Sequence, residues 1–432
     1  MPEIVNNKRG ESLRRGLVAT VVACCLGLAL PAADAVATVA AAEPALARGN
    51  ELFAAGEYAA AREAFTEALE ADPSSVEAHL GRARAYYAMG EYARARIEFE
   101  AVLGLGYGTA VVGPDLQTLD AIVAPDLQTL VAIYDGIAED YAAGRTWSPF
   151  YYAETGIGNY RQNSSQSTDL FGGAGNYDTF LPIRVGGGWS AQVTERHSFN
   201  GTLDYRFRWY DDSDRRNDSD LRWNFNLSRP VDDDNLRFGM RGRTSYRGDG
   251  RYRNDWGAFA TYNIGFGESD RLALTGEVRE RRYPRGPLRS RTRDIAELTG
   301  IWTHSLANGK TSLSLGGSYA QEWATQERVD GDASIWSIRS SVDHSFSDSL
   351  DSFFFLEYWE EGYSEERPFL STDPDVLVER SDELVYVGGG LTWSFAPGWT
   401  LRPSFEYDWE GSNIPALEYS KTEVWVTVRK SF

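Results

Sequence analysis

"TEVWVTVRKSF", residues 422–432, ends the chain in the middle of a strand. Val424, Val426 and Val428 alternate with Trp425, Thr427 and Arg429, the period of a β-strand with two unlike faces. Phe432 falls on the valine face. A soluble domain usually leaves its last strand through a polar, frayed terminus. This ending instead points to a closing strand in which both faces and the end itself are used.

The same alternation recurs upstream. Leu203, Tyr205, Phe207 and Trp209 alternate with Asp204, Arg206, Arg208 and Tyr210; Leu221, Trp223, Phe225 and Leu227 alternate with Arg222, Asn224, Asn226 and Ser228. Leu236, Phe238 and Met240 alternate with Arg237, Gly239 and Arg241, and Leu401, Phe405, Tyr407 and Trp409 with Arg402, Ser404, Glu406 and Asp408. Each strand has one large apolar face and one ionic face. A β-sandwich also alternates, but strands of this length suit a tilted membrane span. Arginine opposite carboxylates on the polar face suits a wet lumen.

Fourteen strands are expected, starting near Pro149, Thr179, Ser198, Ser219, Asn235, Tyr252, Arg271, Arg291, Lys310, Ala333, Leu350, Asp382, Trp399 and Tyr419. Connections after odd strands are long and polar, as in "QNSSQSTDLFGGAGNY" (162–177), "DDSDRRND" (211–218) and "SEERPFLSTDPDVLVERS" (364–381). Those after even strands are tight: "TERH" (194–197), "GES" (267–269), "ANG" (307–309), "SDS" (347–349) and "APG" (396–398). Long outer loops and short inner turns mark a bacterial outer-membrane barrel. An even count puts both barrel ends on the periplasmic side. The last strand then closes against the first, because hydrocarbon satisfies no free sheet edge. Val424, Val426, Val428 and Phe432 are expected to face lipid and to act as a barrel-insertion signal.

The first third of the chain reads differently. "GEYAAAREAFTEALEADP" (56–73) is answered by "GEYARARIEFEAVLGLG" (90–106), with Gly56, Tyr58 and Phe65 recurring as Gly90, Tyr92 and Phe99. The offset of 34 residues is the period of the tetratricopeptide repeat. "PDLQTL" occurs at 114 and again at 125, where each proline suits a helix start. Residues 125–143 are expected to cap the repeats. Ahead of them, Lys8, Arg9, Arg14 and Arg15 precede an apolar run from Gly16 to Leu30 and the small residues "AADAVA", the pattern of a signal peptide. Both cysteines, Cys24 and Cys25, lie inside that run, so the mature chain carries no thiol chemistry. A lipoprotein reading of "VVAC" is the lesser one, because the apolar run continues past the cysteines. The expected fold is therefore α + β multidomain: a signal peptide over 1–37, a periplasmic repeat domain over 44–144, and a 14-stranded antiparallel transmembrane β-barrel over 146–432.

Composition narrows function. The net charge of −20 argues against nucleic acid. Aromatics reach 13% in a chain whose mean hydropathy is −0.42, an odd pairing for a soluble protein. His79, His197, His304 and His344 are scattered without ligand spacing. The acidic runs at Asp218 and Asp220 and at Asp232–Asp234 follow no calcium-loop pattern. His344 sits on an apolar face beside serines, but no hydrolase motif surrounds it. No cofactor, metal or enzymatic activity is expected. Arg206, Arg208, Arg222, Arg237, Arg241 and Arg243 form an inward stripe over three strands. It reads as an ion-pair network with Asp204, Glu277 and Glu406, or as a basic path that guides an acidic cargo. The lumen is expected to hold arginine and glutamate with few inward aromatics.

"RARAYYAMGEYARARIEFEAVL" (82–103) and "AGRTWSPFYYAETGIGNYRQNSS" (143–165), in this order of parts, resemble the surface lipoprotein assembly modifier family. Its members typically follow the Gly-rich first strand with an Asp-Ser-Asn-Val type motif. "GIGNYRQNSS" keeps the glycines and Asn163 without the acidic residue. The resemblance implies a translocator that moves proteins, often lipoproteins, across the outer membrane. It implies periplasmic chaperones and the barrel-assembly machinery as partners, and no catalytic residues. The rival readings are an exopolysaccharide exporter, whose lumen would show aromatic platforms beside acids, and a passive porin with a docking domain.

Overall fold

The computed structural model describes residues 35–71 and 75–92, then Arg94, Ala95 and Glu98. It also describes 147–432 apart from 165–176, 212–216, 369–376 and single or paired residues in other connections. Most of the expected signal peptide, both "PDLQTL" segments and Phe99 lie outside these residues. Three helices are described, α1 (Ala35–Ala54), α2 (Tyr58–Ala71) and α3 (Val76–Ala88), and Tyr92, Arg94, Ala95 and Glu98 are also helical.

The recurrence of "GEY" has a backbone cause. Gly56 at φ +81° and Gly90 at φ +77° end their helices in the left-handed region, where a side chain would be strained. Each turn closes with the same two bonds: Gly56 N to Phe53 O and Glu57 N to Leu52 O, then Gly90 N to Tyr87 O and Glu91 N to Tyr86 O. The tyrosine that follows packs on the preceding helix, Tyr58 on Phe53 at 5.3 Å and Tyr92 on Tyr87 at 5.5 Å. Phe65 is buried between Gly49 and Gly81, both of which lack the Cβ that would strike its ring. Ala61, Ala64, Ala68, Ala78 and Ala83 complete a core of small residues that lets the helices approach closely.

Fourteen antiparallel strands form a closed barrel in sequential order, β1 (Trp147–Ser164), β2 (Tyr177–Thr194), β3 (His197–Tyr210), β4 (Asp218–Val231), β5 (Asp234–Arg247), β6 (Gly250–Phe266) and β7 (Asp270–Arg282). The second half is β8 (Arg293–Ser305), β9 (Thr311–Ala324), β10 (Ala333–Ser345), β11 (Leu350–Pro368), β12 (Leu377–Ala396), β13 (Trp399–Ser412) and β14 (Tyr419–Ser431). β14 closes on β1 from Tyr152 opposite Ser431 to Ser164 opposite Tyr419, and the Phe432 amide donates to Tyr151 O. The terminal residue is thus part of the seam.

Two expectations need correction. β12 begins at Leu377 rather than near Asp382, and β11 runs on to Pro368, so much of 364–381 is strand with a bulge between Gly362 and Glu366. Charges on both faces, Glu379, Arg380, Asp382 and Glu383, concealed the alternation there. The connection from β5 to β6 is also a tight turn, with Gly248 at φ +51°, although it follows an odd strand.

The outside of the barrel is apolar, with Ile157, Leu203, Leu298, Leu315 and Val424 each at least half exposed. The inside carries the charges, many of them buried. No described helix is long and apolar enough to cross a membrane. Crossing falls to the strands, which pair with one another around a closed ladder. This is a barrel of outer-membrane type. Pro182 in β2 and Pro403 in β13 lack the N–H that a ladder needs, and pairing skips at each of them. The two gaps lie on either side of the closing seam.

Candidate functional site

Alternation places even-numbered residues of β3 and odd-numbered residues of β5 on the lumen side, and so decides where the arginine stripe points. Asp220 on β4 is its hub. Arg206 Nη2 donates to Asp220 Oδ2 at 2.6 Å, and Arg243 donates through Nε and Nη2 to the two oxygens at 2.7 and 2.6 Å. Ser245 Oγ adds a bond at 2.6 Å, and Arg222 stands 3.9 Å away. Arg241 makes a two-pronged pair with Glu277. Arg208 reaches past β2 and β1 to Glu423 on β14, at 3.0 and 3.1 Å. Arg237 has no carboxylate partner among the described residues.

Of the acids expected to serve this stripe, Glu277 bonds Arg241, and Asp204, bonded by Arg184 at 2.7 Å, lies opposite Arg222 in register. Two acids not expected there, Asp220 and Glu423, bond Arg206, Arg243 and Arg208. The reason is register: Asp220 lies opposite Arg206 on β3 and Ser245 on β5, within reach of both neighbouring strands. Asp220 is therefore occupied by guanidinium groups, and the described residues gather no cluster of three or more potential metal ligands.

The opposite wall, β11 to β14, has another character. Phe355, Trp359, Leu384 and Tyr386 form a buried inward cluster, with Phe353 and Tyr419 packed against it. The expectation of few inward aromatics fails here. Beside the rings stand Glu357, Glu361, Asp382, Glu406, Asp408 and Glu410. Their cations are fewer: Arg380 pairs with Asp382 and reaches Asp330 at 3.3 Å, and Lys421 lies 3.5 Å from Asp408 and 3.2 Å from Glu423. Tyr363 is sandwiched by Arg328 and Arg380 at 4.7 and 4.6 Å.

A glycine triplet seats the rings. Phe353 and Phe355 lie opposite Gly390 and Gly388, and a Cβ at either glycine would strike the ring. The device is repeated at Gly186–Gly188, where Tyr152 and Phe150 lie opposite Gly186 and Gly188. "VGGG" at 185–188 and again at 387–390 is the signal in the sequence that could have revealed it.

The helices dock at the short-turn end. Glu98 accepts from Arg271 at the start of β7 at 2.6 Å, and also from Arg82 at 3.0 Å, with His79 Nδ1 at 2.9 Å. Lys310 of the β8–β9 turn lies over the Tyr92 ring at 5.9 Å, and Gly309 packs on Glu91. Burial alone would raise the Glu98 pKa; Arg82, Arg271 and His79 override it and hold the carboxyl well below its usual range. Tyr92 is pushed up by burial and by Asp348 of the β10–β11 turn and Asp351 at the start of β11.

The remaining expected positions are placed as follows. Val424, Val426 and Phe432 are exposed on the outer face, Phe432 at 75%, and Val428, on the same alternation, is half-buried. Lys430 lies over the rings of Trp399 and Phe432 and donates to Pro397 O at 3.0 Å, its stem along the apolar face and its charge at the barrel rim. His344 faces outward and pairs with Thr311 Oγ1 at 2.8 Å.

Residues 52–108 match the family described as tetratricopeptide repeat. No curated protein matches the sequence. Among solved structures, the outer membrane channel DcaP of Acinetobacter baumannii is 14% identical, with 66% of this chain and 98% of that one covered and a TM-score of 0.40. The TodX monoaromatic hydrocarbon channel (deltaS2 mutant) is 8% identical, covering 66% and 90% at a TM-score of 0.38. OmpT, an outer membrane protein of Vibrio cholerae, is 9% identical, covering 66% and 100% at 0.36.

Proposed function

We propose that the chain is an outer-membrane translocator of the surface lipoprotein assembly modifier type, in which periplasmic repeats over 44–144 capture protein or lipoprotein cargo and deliver it to the barrel over 146–432. Residues 1–37 direct export, and Val424, Val426, Val428 and Phe432 serve recognition by the barrel-assembly machinery. The observation that carries this reading is the docking of the helical segment on the short turns through Glu98 and Arg271. A repeat held there presents an extended segment at the mouth of the lumen, which a free-swinging domain would not do. Nothing in this role calls for catalysis.

The test compares a deletion strain carrying the wild-type chain or Arg271→Glu, with surface proteins released by protease and identified by mass spectrometry. The expected result is that the same set of surface proteins is lost in the deletion and in Arg271→Glu, with folded barrel present at normal levels. A second reading, export of a polysaccharide, is favoured by the Phe355, Trp359 and Tyr386 rings beside carboxylates. Unchanged surface proteins with loss of surface carbohydrate would select it and overturn the first.

A further inference from the structure

Arg237 stands apart from every other arginine of the stripe. It is 3% exposed, its Nε has no hydrogen-bond partner, and no described carboxylate pairs with it. Its neighbours in register are Ser228 on β4 and Thr261 on β6. The Phe259 ring lies 5.7 Å from its guanidinium, and the charge that acts on it is another cation, Arg241. Arg241 already shares Glu277 with Arg279. The surrounding polar groups are neutral: Asn200 bonds Asn226 at 3.4 Å, and the Thr261 and Thr275 hydroxyls bond each other at 2.9 Å. Gly239, the inward position between the two arginines, carries no side chain and packs against β4, where a Cβ would strike Phe225 O and Asn226.

A buried guanidinium without a counter-charge is costly, and cation–π contact with one phenylalanine offsets only part of that cost. Arginine's planar fork suits two-pronged bonds to an oxyanion. Arg237 lies three residues into β5 from the short-turn end, ahead of the Asp220 hub, so an anion entering from that end meets it first.

We propose that Arg237 is the centre of an oxyanion-binding site on the lumen wall, taking a phosphate or carboxylate group from a free solute or from an acidic side chain of a peptide. The site holds whichever cargo the barrel moves, so its failure and that of the transport reading are separable. The full chain, folded in detergent, is titrated by calorimetry with inorganic phosphate and, separately, with a capped hexaglutamate peptide. Arg237→Gln is expected to weaken binding about tenfold, the factor that loss of a hydrogen bond to a charged group carries. Arg237→Lys should fall between, since it keeps charge and loses the fork. Arg247→Gln, at the opposite end of β5, should change nothing. Weakening of phosphate alone assigns a solute site, and weakening of the peptide, alone or with phosphate, a site for acidic side chains; either supports the proposal. Because no described carboxylate pairs with Arg237, Arg237→Gln is expected to keep its heat-modifiable mobility. Should it unfold, Arg237→Lys gives the reading in its place. Equal binding by wild type and the folded variants, or no binding of either probe by wild type, overturns it.

Discussion

Asp220 on one side of the lumen and Glu406 on the other are both inward carboxylates, and their surroundings are opposite. Asp220 is bonded by Arg206, Arg243 and Ser245, with Arg222 nearby. Glu406 lies directly opposite Glu423 and shares its wall with Asp408 and Glu410. One wall has more cations than anions to hold them; the other has more anions than cations. A lumen built this way carries a field across its width rather than along its axis. Charges facing one another across low-dielectric walls act strongly on anything between them. The difference also separates two kinds of residue: those that hold the barrel together and those that merely line it.

The largest expected effect is at the hub. Asp220→Ala leaves Arg206 and Arg243 buried without their carboxylate, a loss of about 3–5 kcal/mol for breaking a buried pair. The measurement is the urea midpoint of the refolded barrel, read by the heat-dependent shift in electrophoretic mobility. A change under about 1 kcal/mol, the range of exposed pairs, would mean that the basic wall is as loosely held as a surface.

Next in size is the aromatic wall. Gly388→Val places a side chain where the Phe355 ring lies, and overpacking of this kind costs about 1–3 kcal/mol. Phe355→Ala in the same chain should recover part of the loss, which distinguishes ring displacement from a general strand defect. Absence of any recovery would break the account of the glycine triplet as a seat for rings.

Glu98 repeats the Asp220 arrangement outside the membrane: one carboxylate held by Arg82, Arg271 and His79. Its folded pKa is depressed, so the stability it contributes is fully present above the unfolded value of about 4.3 and is lost as pH falls through the folded value. Protection of the amides from Ala85 to Tyr92 against hydrogen exchange, taken relative to the intrinsic rate at each pH, should be high at neutral pH and begin to fall below that point. Arg271→Gln should lower it by a smaller factor at neutral pH, since Arg82 and His79 remain, and should have no effect once Glu98 is protonated. A fall in protection on raising the pH from neutrality would contradict the assignment.

These contrasts show how much the sequence discloses. Period-2 alternation and turn length disclose the fourteen strands, because burial against lipid or water is decided residue by residue. The "GEY" recurrence discloses the helix turns, because only glycine closes them without strain. Asp220 as a hub could not be read, since it depends on which three strands lie side by side and in which register. Arg208 and Glu423 stand 215 residues apart and meet only because the barrel closes. The inward rings were missed because Phe355 and Trp359 sit in a run, "FFFLEYWEE" (353–361), in which both faces carry aromatics.

The smallest expected effect has the opposite sign to the first. Like charges directly opposite one another on adjacent strands are destabilising, and Glu406 faces Glu423 in this way. Glu423 has its own partners in Arg208 and Lys421, so its charge is fixed. Glu406→Gln removes the repulsion and keeps an oxygen to accept the Tyr386 hydroxyl bond. The urea midpoint is therefore expected to stay level or to rise by up to about 1 kcal/mol, the scale of a cross-strand charge pair. The same variant should lower the preference of the pore for cations in planar bilayers, because one carboxylate of the acidic wall is gone. A loss of stability comparable to that of Asp220→Ala would show that Glu406 has a bonded role of its own and that the two walls are built alike.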